Sequence, residues 1–415
     1  MANSYLARTP SSAGNKQIFT ISMWLKRSST GVLQKPFSAG AVGGAFTALE
    51  FPTDDKPRFV YYNGSSVTID ITADQRLRDV NGWYHIVWAV DTTQATANNR
   101  VKLYINGTQV TNLATNTQPA QNWNFDINNT LAHNIGRGVY NSSEYFDGYI
   151  SHFALVDGQQ LTPTTFGQTD STSGIWKFKP PSGVTWGTNG VHLKFENSGA
   201  LGTDSSGNTN TYTVTGNLKQ ALDTPSNVHC TANPLHKTSN ILILNGNCSI
   251  GTTNTGTDEA VGATLACENS KWYWENKDAG AGDPGVGIVK ITANNANLNN
   301  ERIIYHENGN IYTDGLSGVS AINTGVTFTT NDIISVAFDT ENGNIKFYKN
   351  DTLVNNSSIT NSQLEYANNI WMPMWYCANG NGSAAIHANF GNGFFGTTAI
   401  TSAGSNGNGS LFEYD

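Results

Sequence analysis

A β-hairpin pattern that occurs twice is the feature that most constrains this chain. The first copy runs from Trp83 to Val110 and the second from Asp332 to Val354. Each copy reads as an apolar strand that ends in Asp, a polar turn, a second strand, an Asn-Gly or Asn-Asp pair and then Thr-x-Val. Asn-Gly pairs favour tight turns because both residues tolerate positive φ. Because unrelated segments rarely share such a pattern, the repeat predicts two β domains of similar architecture.

Composition supports an all-β protein with long polar loops. Charged residues make up 13% of the 415 residues, aromatic residues 11%, and there are 42 glycines. Short strand patterns with frequent turn signals are typical of β-sandwiches and jelly rolls. The segment from Trp83 to Val90 is apolar on both alternations, which predicts a central strand covered on both faces. We therefore predict two β-sandwiches joined by a small connector that contains short strands.

The sequence also divides into four regions by its character. We expect a jelly roll over residues 1–166, a connector over 167–239 and a second sandwich over 240–400. Residues 401–415 form a tail rich in Gly, Ser and Asn, which we expect to be mobile unless a partner holds it.

Charge and hydropathy exclude several classes of partner. Residues 240–415 hold 6 Lys and Arg against 16 Asp and Glu, so the acidity of the chain belongs to its last region. This disfavours nucleic acid and anionic membranes as partners. No apolar run is long enough to insert into a membrane, and the start of the chain lacks the apolar core of a secretion signal. The four cysteines lack metal-site spacing, so we expect free, mostly buried thiols made in a reducing cytoplasm.

Several motifs of the first region resemble a known family when they are taken together. These are Phe19–Leu25, Trp83–Ile86, Val101–Gly107 and Asp147–Gly158. In this order they resemble the laminin-G-type, concanavalin A-like jelly roll, over residues 1–166. The resemblance implies a sandwich whose loop rim binds glycans and often holds calcium.

The later regions carry two further resemblances. The segments Ser270–Glu275, Gly285–Val289, Ile303–Gly309 and Ile386–Gly391, with the second hairpin, resemble a SPRY domain, which implies protein binding through loops. The amino-acid sequence of residues 167–239 is similar to that of a connector in structural proteins of marine tailed bacteriophages. In those proteins a jelly roll, this connector and a second sandwich recur together. The resemblance implies a protein of the virion surface that is made in the cytoplasm of a host bacterium.

The alternative to a binding protein is an enzyme, because concanavalin A-like sandwiches also occur in glycoside hydrolases. A glycoside hydrolase needs two carboxylates roughly 5–9 Å apart on one sheet face. Glu268 and Glu275 are seven residues apart, so they point to opposite faces of an unbroken strand. The segments Gly280–Gly285 and Gly391–Gly396 match the motif G-x-G-x-x-G. A dinucleotide site requires this motif at the start of a helix, and neither segment begins one. We therefore expect no enzyme, although a carboxylate pair assembled from distant strands stays open.

Aromatic and amide side chains in loops are the candidate binding residues, because binding sites favour loops on rigid scaffolds. They are Trp123, Tyr140, Tyr145, Trp371, Tyr376, Asn379 and Asn381. The alternative for each aromatic is packing at a sandwich edge or against a neighbouring subunit. Asp91 and Asp147 are weak candidates for calcium, since turn capping explains both. No other cofactor is expected.

The leading hypothesis is a non-enzymatic tail-fibre or appendage protein of a phage virion that binds a host surface glycan or receptor through its loop rims. The alternative is a capsid-decorating or fibre-assembly subunit that binds only other virion proteins. A polysaccharide-degrading glycoside hydrolase is a distant third. Under each structural reading the chain binds other virion proteins and forms a homo-oligomer.

Overall fold

The computed structural model describes residues 3–296, 298–314, 321–354, 359, 369–401 and 410–414. Over these residues the protein is all-β except for short 3-10 turns at Ala97–Asn99 and Pro163–Thr165. The predicted mobile tail falls largely on residues 402–409, which lie outside the described residues. The chain forms two compact units. The first holds Met1–Gln220 with Thr224–Val228, and the second holds Ala221–Asp223 with His229–Asp415.

The strands of the first unit run in chain order. They are β1 (Tyr5–Arg8), β2 (Ile18–Arg27), β3 (Gln34–Gly40), β4 (Phe46–Phe51), β5 (Arg58–Tyr62), β6 (Val67–Ala73), β7 (Tyr84–Asp91), β8 (Val101–Ile105), β9 (Thr108–Gln109), β10 (Leu113–Thr117), β11 (Ala132–Ile135), β12 (Gly148–Asp157), β13 (Gly167–Thr169), β14 (Trp176–Phe178), β15 (Val191–Leu193) and β16 (Thr213–Thr215).

These strands build a sandwich of two sheets. Sheet A has the order β10-β6-β5-β4-β3-β11-β1-β16, and sheet B has the order β15-β12-β2-β7-β8-β9. Alternate residues of β2 and β7 point into the space between the sheets, where Phe19, Ile21 and Trp88 pack with Phe37 and Phe59 of sheet A. The predicted sandwich is therefore confirmed, and its core lies between the sheets.

The outer face of sheet B is also covered. Val87 of β7 and Ala154 of β12 point away from the main core and pack against Phe166 and Trp186. The covering residues come from the segment that follows β12. This confirms the prediction of a central strand covered on both faces for His85 to Val90, whereas Trp83 precedes β7, and Trp83 and Tyr84 are half-buried.

Strands from the segment predicted as a connector extend the first sandwich. β15 pairs with β12 in sheet B, and β16 pairs with β1 in sheet A. β13 and β14 form a hairpin of their own. The indole of Trp176 on this hairpin lies over Gly107, where a Cβ would approach the ring to 2.5 Å. Glycine at this position therefore allows the hairpin to lie close to the β8–β9 turn.

The strands of the second unit follow. They are β17 (Ala232–Lys237), β18 (Ile241–Leu244), β19 (Ser249–Thr252), β20 (Glu259–Ala263), β21 (Lys271–Asp278), β22 (Asp283–Lys290), β23 (Arg302–His306), β24 (Asn310–Tyr312), β25 (Ala321–Asn323), β26 (Ile333–Asp339), β27 (Asn344–Lys349), β28 (Thr352–Leu353), β29 (Trp371–Ala378), β30 (Ala384–Asn389), β31 (Phe394–Phe395) and β32 (Thr398–Ala399).

The second unit is also a sandwich. Sheet C has the order β17-β20-β29-β22-β23-β24-β25, and sheet D has the order β18-β19-β30-β21-β26-β27-β28. Trp274, Trp371 and Trp375 are fully buried in its core. The four cysteines are buried and unbridged, which confirms the expectation of free thiols. No described helix is long and apolar enough to cross a membrane.

The repeated hairpin has the same contacts in both units. Asn106 and Asn350 adopt φ of 48° and 47°, and the following residue also has positive φ. The Asn106 side-chain carbonyl accepts a hydrogen bond of 2.8 Å from the backbone N–H of His85, and the Asn350 side chain accepts one of 2.8 Å from Ile333. Each Asn therefore closes its own turn and ties the turn to the start of the neighbouring strand.

Two buried histidines of the first unit depend on being neutral. Trp176 Nε1 donates to His85 Nδ1 at 2.9 Å, and the backbone N–H of Asn128 donates to His133 Nε2 at 3.0 Å. A proton on either acceptor nitrogen would face another donor. Burial lowers the pKa of His85 to about 3, and burial followed by the nearby Arg8 charge lowers that of His133 to about 4 despite the Leu131 carbonyl.

We predict that replacing the turn asparagine destabilises the hairpin's unit. Asn106→Ala removes a hydrogen bond and places at positive φ a residue that tolerates this conformation less well than Asn, so the free energy of unfolding should fall by about 1–3 kcal/mol. Asn106→Gly keeps the allowed φ and should cost less. Urea denaturation followed by tryptophan fluorescence measures both variants. Equal stability of wild type and Asn106→Ala would contradict the assigned role.

We predict that the first unit loses stability as pH falls from about 6.5 to about 4. In this window the unfolded chain binds protons at His85 and His133, while the folded unit keeps both rings neutral. Stability therefore rises with pH, by on the order of 3 kcal/mol per fully buried histidine. Thermal denaturation at pH 7 and pH 4.5 measures the effect. His133→Gln should flatten the pH dependence, and an unchanged slope in this variant would exclude His133 as a source.

Candidate functional site

The 136–146 loop lies against the outer face of sheet A. Ser38 Oγ donates a hydrogen bond of 2.7 Å to the backbone carbonyl of Arg137, and the N–H of Gly43 donates one of 2.8 Å to the carbonyl of Tyr140. The loop is therefore fixed to β3 and to the β3–β4 turn. It presents Tyr140 and Tyr145, two of the predicted binding residues, on the surface of the sandwich.

Tyr140 joins an aromatic cluster on this face. Phe46 and Tyr62 are direct cross-strand partners on β4 and β5, so their rings lie on the same side of the sheet, 5.3 Å apart. The Tyr140 ring lies 5.8 Å from Phe46 and 5.4 Å from Tyr62. Val139 is buried beneath the loop and anchors it. Tyr62 and Tyr140 stay half-exposed, so part of this aromatic surface is open to a ligand.

A row of paired charges lies beside the aromatic cluster. Arg58 contacts Glu50 at 2.9 Å and Asp70 at 2.5 Å, and Lys35 contacts Glu50 at 3.5 Å and also bonds Glu144. Burial raises the pKa of Glu50 in spite of both cations. Glu50 is only 6% exposed and bonded on both sides. The row therefore has the geometry of a structural ion-pair network that borders the aromatic cluster.

Tyr145 lies on the other side of the loop. Its ring is 6.3 Å from that of Tyr5 on β1. The guanidinium carbon of Arg137 lies 3.6 Å from the centroid of the same Tyr5 ring. The 136–146 loop therefore carries two aromatic groups, one on each side. We call the surface formed by Tyr5, Tyr62, Arg137, Tyr140 and Tyr145 the loop face.

Trp123 is not part of the loop face. Its ring packs edge to face on Tyr61, with centroids 5.2 Å apart, and both residues border the main core. Burial raises the pKa of the nearby Asp126 carboxyl to about 6 despite Lys16. Trp123 thus holds the edge of the sandwich, which is the packing role that the sequence left open.

The two aromatic candidates of the second unit are mostly packing residues. Trp371 is 0% exposed and lies in the core, so no ligand can stack on it in this structure. Tyr376 is 7% exposed, and its hydroxyl donates a hydrogen bond of 2.5 Å to Asp258. Both residues lie on β29, which is buried along its whole length. The sequence suggested a loop because Gly and Asn follow this strand closely.

The amide candidates hold a turn. Asn379 is exposed, has φ of 51° and donates a hydrogen bond of 2.5 Å to Asp283. Asn381 is exposed, and its side-chain carbonyl accepts 3.1 Å from the N–H of Ser383. These contacts stabilise the β29–β30 connection. Asn379 and Asn381 lie in the same connection, and the two aromatic candidates of their own unit, Trp371 and Tyr376, are buried.

The calcium candidates have internal partners. Asp91 accepts hydrogen bonds from Thr93 and Gln94, and these outweigh burial and lower its pKa. Asp147 is largely buried, which raises its pKa despite a hydrogen bond from Ser29. Neither belongs to a group of three or more His, Cys, Asp or Glu side chains, since the described residues contain no such group suited to a metal.

Sequence reasoning missed Tyr5, Tyr62 and Arg137. Tyr5 and Tyr62 lie on strands whose outward positions are hard to separate from inward ones when both alternations are apolar. Arg137 follows a glycine in Ile135-Gly-Arg-Gly138, and that glycine pair was the available signal for an exposed loop.

Comparison with known proteins supports the fold. Residues 2–165 match the family model described as Concanavalin A-like lectin/glucanases superfamily, which confirms the resemblance predicted for the first region. A comparison with curated proteins found no match.

Similar solved structures include two SPRY domains and a pentraxin. The SPRY domain of human HERC1 is 17% identical, with 38% of this chain and 96% of that chain covered and a TM-score of 0.30. The TRIM65 PSpry domain is 9% identical, with coverages of 39% and 91% and a TM-score of 0.30. A heptameric SAP-like pentraxin from Limulus polyphemus is 17% identical, with coverages of 47% and 86% and a TM-score of 0.31. At these values the likenesses carry no argument about function.

We predict that Trp371 and Tyr140 differ sharply in their contribution to stability. Trp371→Ala leaves a large cavity in the second unit and should lower the free energy of unfolding by about 3–5 kcal/mol. Tyr140→Ala removes a half-exposed ring and should cost about 1–2 kcal/mol. Chemical denaturation of both variants tests this. Similar losses would show that the loop-face tyrosine is a core residue.

Proposed function

We propose that this protein is a non-enzymatic surface protein of a tailed-phage virion, of the tail-fibre or appendage type, that binds a host surface glycan through the loop face. The observation that carries the binding proposal is the half-exposed pair Tyr62 and Tyr140 on a rigid sheet. The phage assignment is supported by the resemblance of residues 167–239 to the connector of phage structural proteins.

Aromatic rings beside polar groups suit a sugar. The apolar face of a pyranose stacks on a tyrosine ring, while hydroxyl, amide and charged side chains bind its hydroxyls. Phe46 backs the two tyrosines at ring distances of 5.3 and 5.8 Å, so the platform is preformed. A preformed surface binds with a smaller loss of conformational entropy than a mobile loop.

The covering of sheet B favours the loop face as the site. Phe166 and Trp186 occupy the outer side of sheet B above Val87 and Ala154. A ligand would have to displace these side chains to reach that sheet. The outer side of sheet A, by contrast, has half-exposed tyrosines.

A second candidate function, assembly with other virion proteins, is favoured by an apolar groove in the second unit. Leu235 is 53% exposed and Ile291 is 39% exposed. Ile291 lines a groove of about 660 Å³ with His236 and Met372, and Leu235 adjoins His236 in the chain. Exposed apolar groups of this kind are typical of protein interfaces. The groove could serve homo-oligomer contacts or another virion protein.

A paired experiment tests the two functions. Purified wild-type chain should bind host cells and block phage adsorption. The double variant Tyr62→Ser with Tyr140→Ser should weaken cell binding at least tenfold, which corresponds to about 1.4 kcal/mol. Leu235→Ser is the matched surface control and should bind cells normally.

Opposite outcomes separate the proposals. If wild-type protein does not bind cells or block adsorption at saturating concentration, the attachment function is excluded. If phage carrying Leu235→Ser fails to incorporate the protein while the tyrosine variant incorporates normally, the groove serves assembly. Hydrolysis of a polysaccharide panel by the purified wild-type chain would replace the binding proposal with an enzymatic one.

A further inference from the structure

We infer that the loop face contains an anion subsite centred on Arg137, and that the glycan it binds is acidic, with a carboxylate seated on this guanidinium. The inference rests on the proposed function and specifies its ligand. Three observations support it: Arg137 has no hydrogen-bond acceptor among the described residues, its loop is fixed to sheet A, and aromatic rings lie on the same face.

Arg137 differs from the other arginines that are at least partly buried. Those arginines all donate hydrogen bonds to protein acceptors: Arg8, Arg27, Arg58, Arg100 and Arg302. Arg137 has no hydrogen-bond acceptor and no carboxylate partner for its guanidinium within the part of the chain that the structure describes, and its Nε is buried. The four N–H donors on the two terminal nitrogens of this permanent cation therefore have no protein acceptor among the described residues.

The nearest acidic side chain of the loop is already engaged. Glu144 bonds the ammonium group of Lys35, which also contacts Glu50. Glu144 therefore neutralises Lys35. Arg137 therefore has no carboxylate within ion-pair distance among the described residues, in a chain whose net charge is −8.

The guanidinium is held in a fixed orientation. It stacks on Tyr5 with 3.6 Å between its central carbon and the ring centroid. The backbone carbonyl of Arg137 accepts the hydrogen bond from Ser38. Across the loop, the N–H of Gly138 donates a hydrogen bond of 2.9 Å to the carbonyl of Ser143. Stacking covers one face of the guanidinium and leaves N–H groups at its edge. Such an edge binds a planar carboxylate through two parallel hydrogen bonds.

The surrounding aromatic rings indicate that the anion is carried by a sugar. The ring of Tyr145 lies 6.3 Å from that of Tyr5, the ring on which the guanidinium stacks. Tyr140, on the same loop, contributes to the Phe46–Tyr62 cluster. A chain of sugars could therefore place a uronic acid at Arg137 and a neighbouring sugar on the tyrosine cluster. A guanidinium can also bind a tetrahedral sulfate through two hydrogen bonds. We assign the subsite to a carboxylate, whose planar group matches the edge of the guanidinium, and the experiment separates the two anions.

Isothermal titration of the full chain tests this assignment with three defined probes. They are an oligomer of galacturonic acid, the same oligomer with its carboxylates reduced to alcohols, and a sulfated dextran oligomer of similar length. The variants are Arg137→Gln, Arg137→Lys and the charge-matched control Arg76→Gln, since Arg76 is an exposed arginine in another loop. Thermal denaturation confirms that each variant is folded.

We expect the wild type to bind the galacturonate oligomer at least tenfold more tightly than its reduced form. Arg137→Gln should abolish this preference, Arg137→Lys should retain part of it, and Arg76→Gln should leave it unchanged. The preference should weaken with salt, as an ion pair requires. Binding of the reduced oligomer should be the same in wild type and Arg137→Gln.

Three results would overturn the inference. These are equal binding of the acidic and reduced oligomers, equal losses in Arg137→Gln and Arg76→Gln, and tighter Arg137-dependent binding of the sulfated oligomer. If the acidic and reduced oligomers bind equally, and this binding still depends on Tyr62 and Tyr140, only the anion subsite is rejected and the glycan-binding function stands. If the tyrosine double variant also leaves cell binding unchanged, the proposed glycan function fails independently.

Discussion

The burial of sheet B on both faces is the constraint on which the rest of the first unit depends. β7 and the second half of β12 have apolar residues on both alternations, so their outer face needs a cover besides sheet A. The segment after β12 supplies this cover with Phe166 and Trp186. Because the cover is part of the same chain, sheet B is not available to a ligand. Sheet A keeps an open outer face, and the 136–146 loop with its tyrosines lies there.

The hairpin repeat reflects a shared way of closing a sandwich strand pair. Besides the two turn asparagines, a threonine follows the terminal aspartate of each first strand. Thr92 Oγ1 donates 2.8 Å to the carbonyl of Trp123, and Thr340 Oγ1 donates 2.6 Å to the carbonyl of Ser270. Each hairpin is thus tied at both ends to a neighbouring chain segment. The asparagines and threonines that make these contacts belong to the repeated pattern itself, which explains why the repeat predicted the fold.

The site was only partly predictable, because it joins distant segments. Tyr140 and Tyr145 were found from their loop composition. Tyr62 was not, since its outward direction depends on its register with Phe46 across the β4–β5 pair. Trp371 was misplaced because the sequence shows a tryptophan near a polar loop but not that its strand is covered on both faces. Pairing of charges is equally non-local, so no sequence pattern separates Arg137 from arginines that have partners.

Buried charges in this protein generally complete the fold. Asp55 bonds Arg27 at 2.9 Å and Arg78 at 2.7 Å. The carboxylate of Glu275 accepts hydrogen bonds of 2.8 Å from the backbone N–H groups of both Glu413 and Tyr414. It therefore fixes the segment around these two residues to β21. Burying charges that lack partners is costly, and folding therefore removes most such cases. Arg137 departs from this rule within the described chain. A cation that the fold orients but leaves without an acceptor is better explained by a ligand than by stability, because a neutral side chain could stack on Tyr5 without the cost of desolvating a charge.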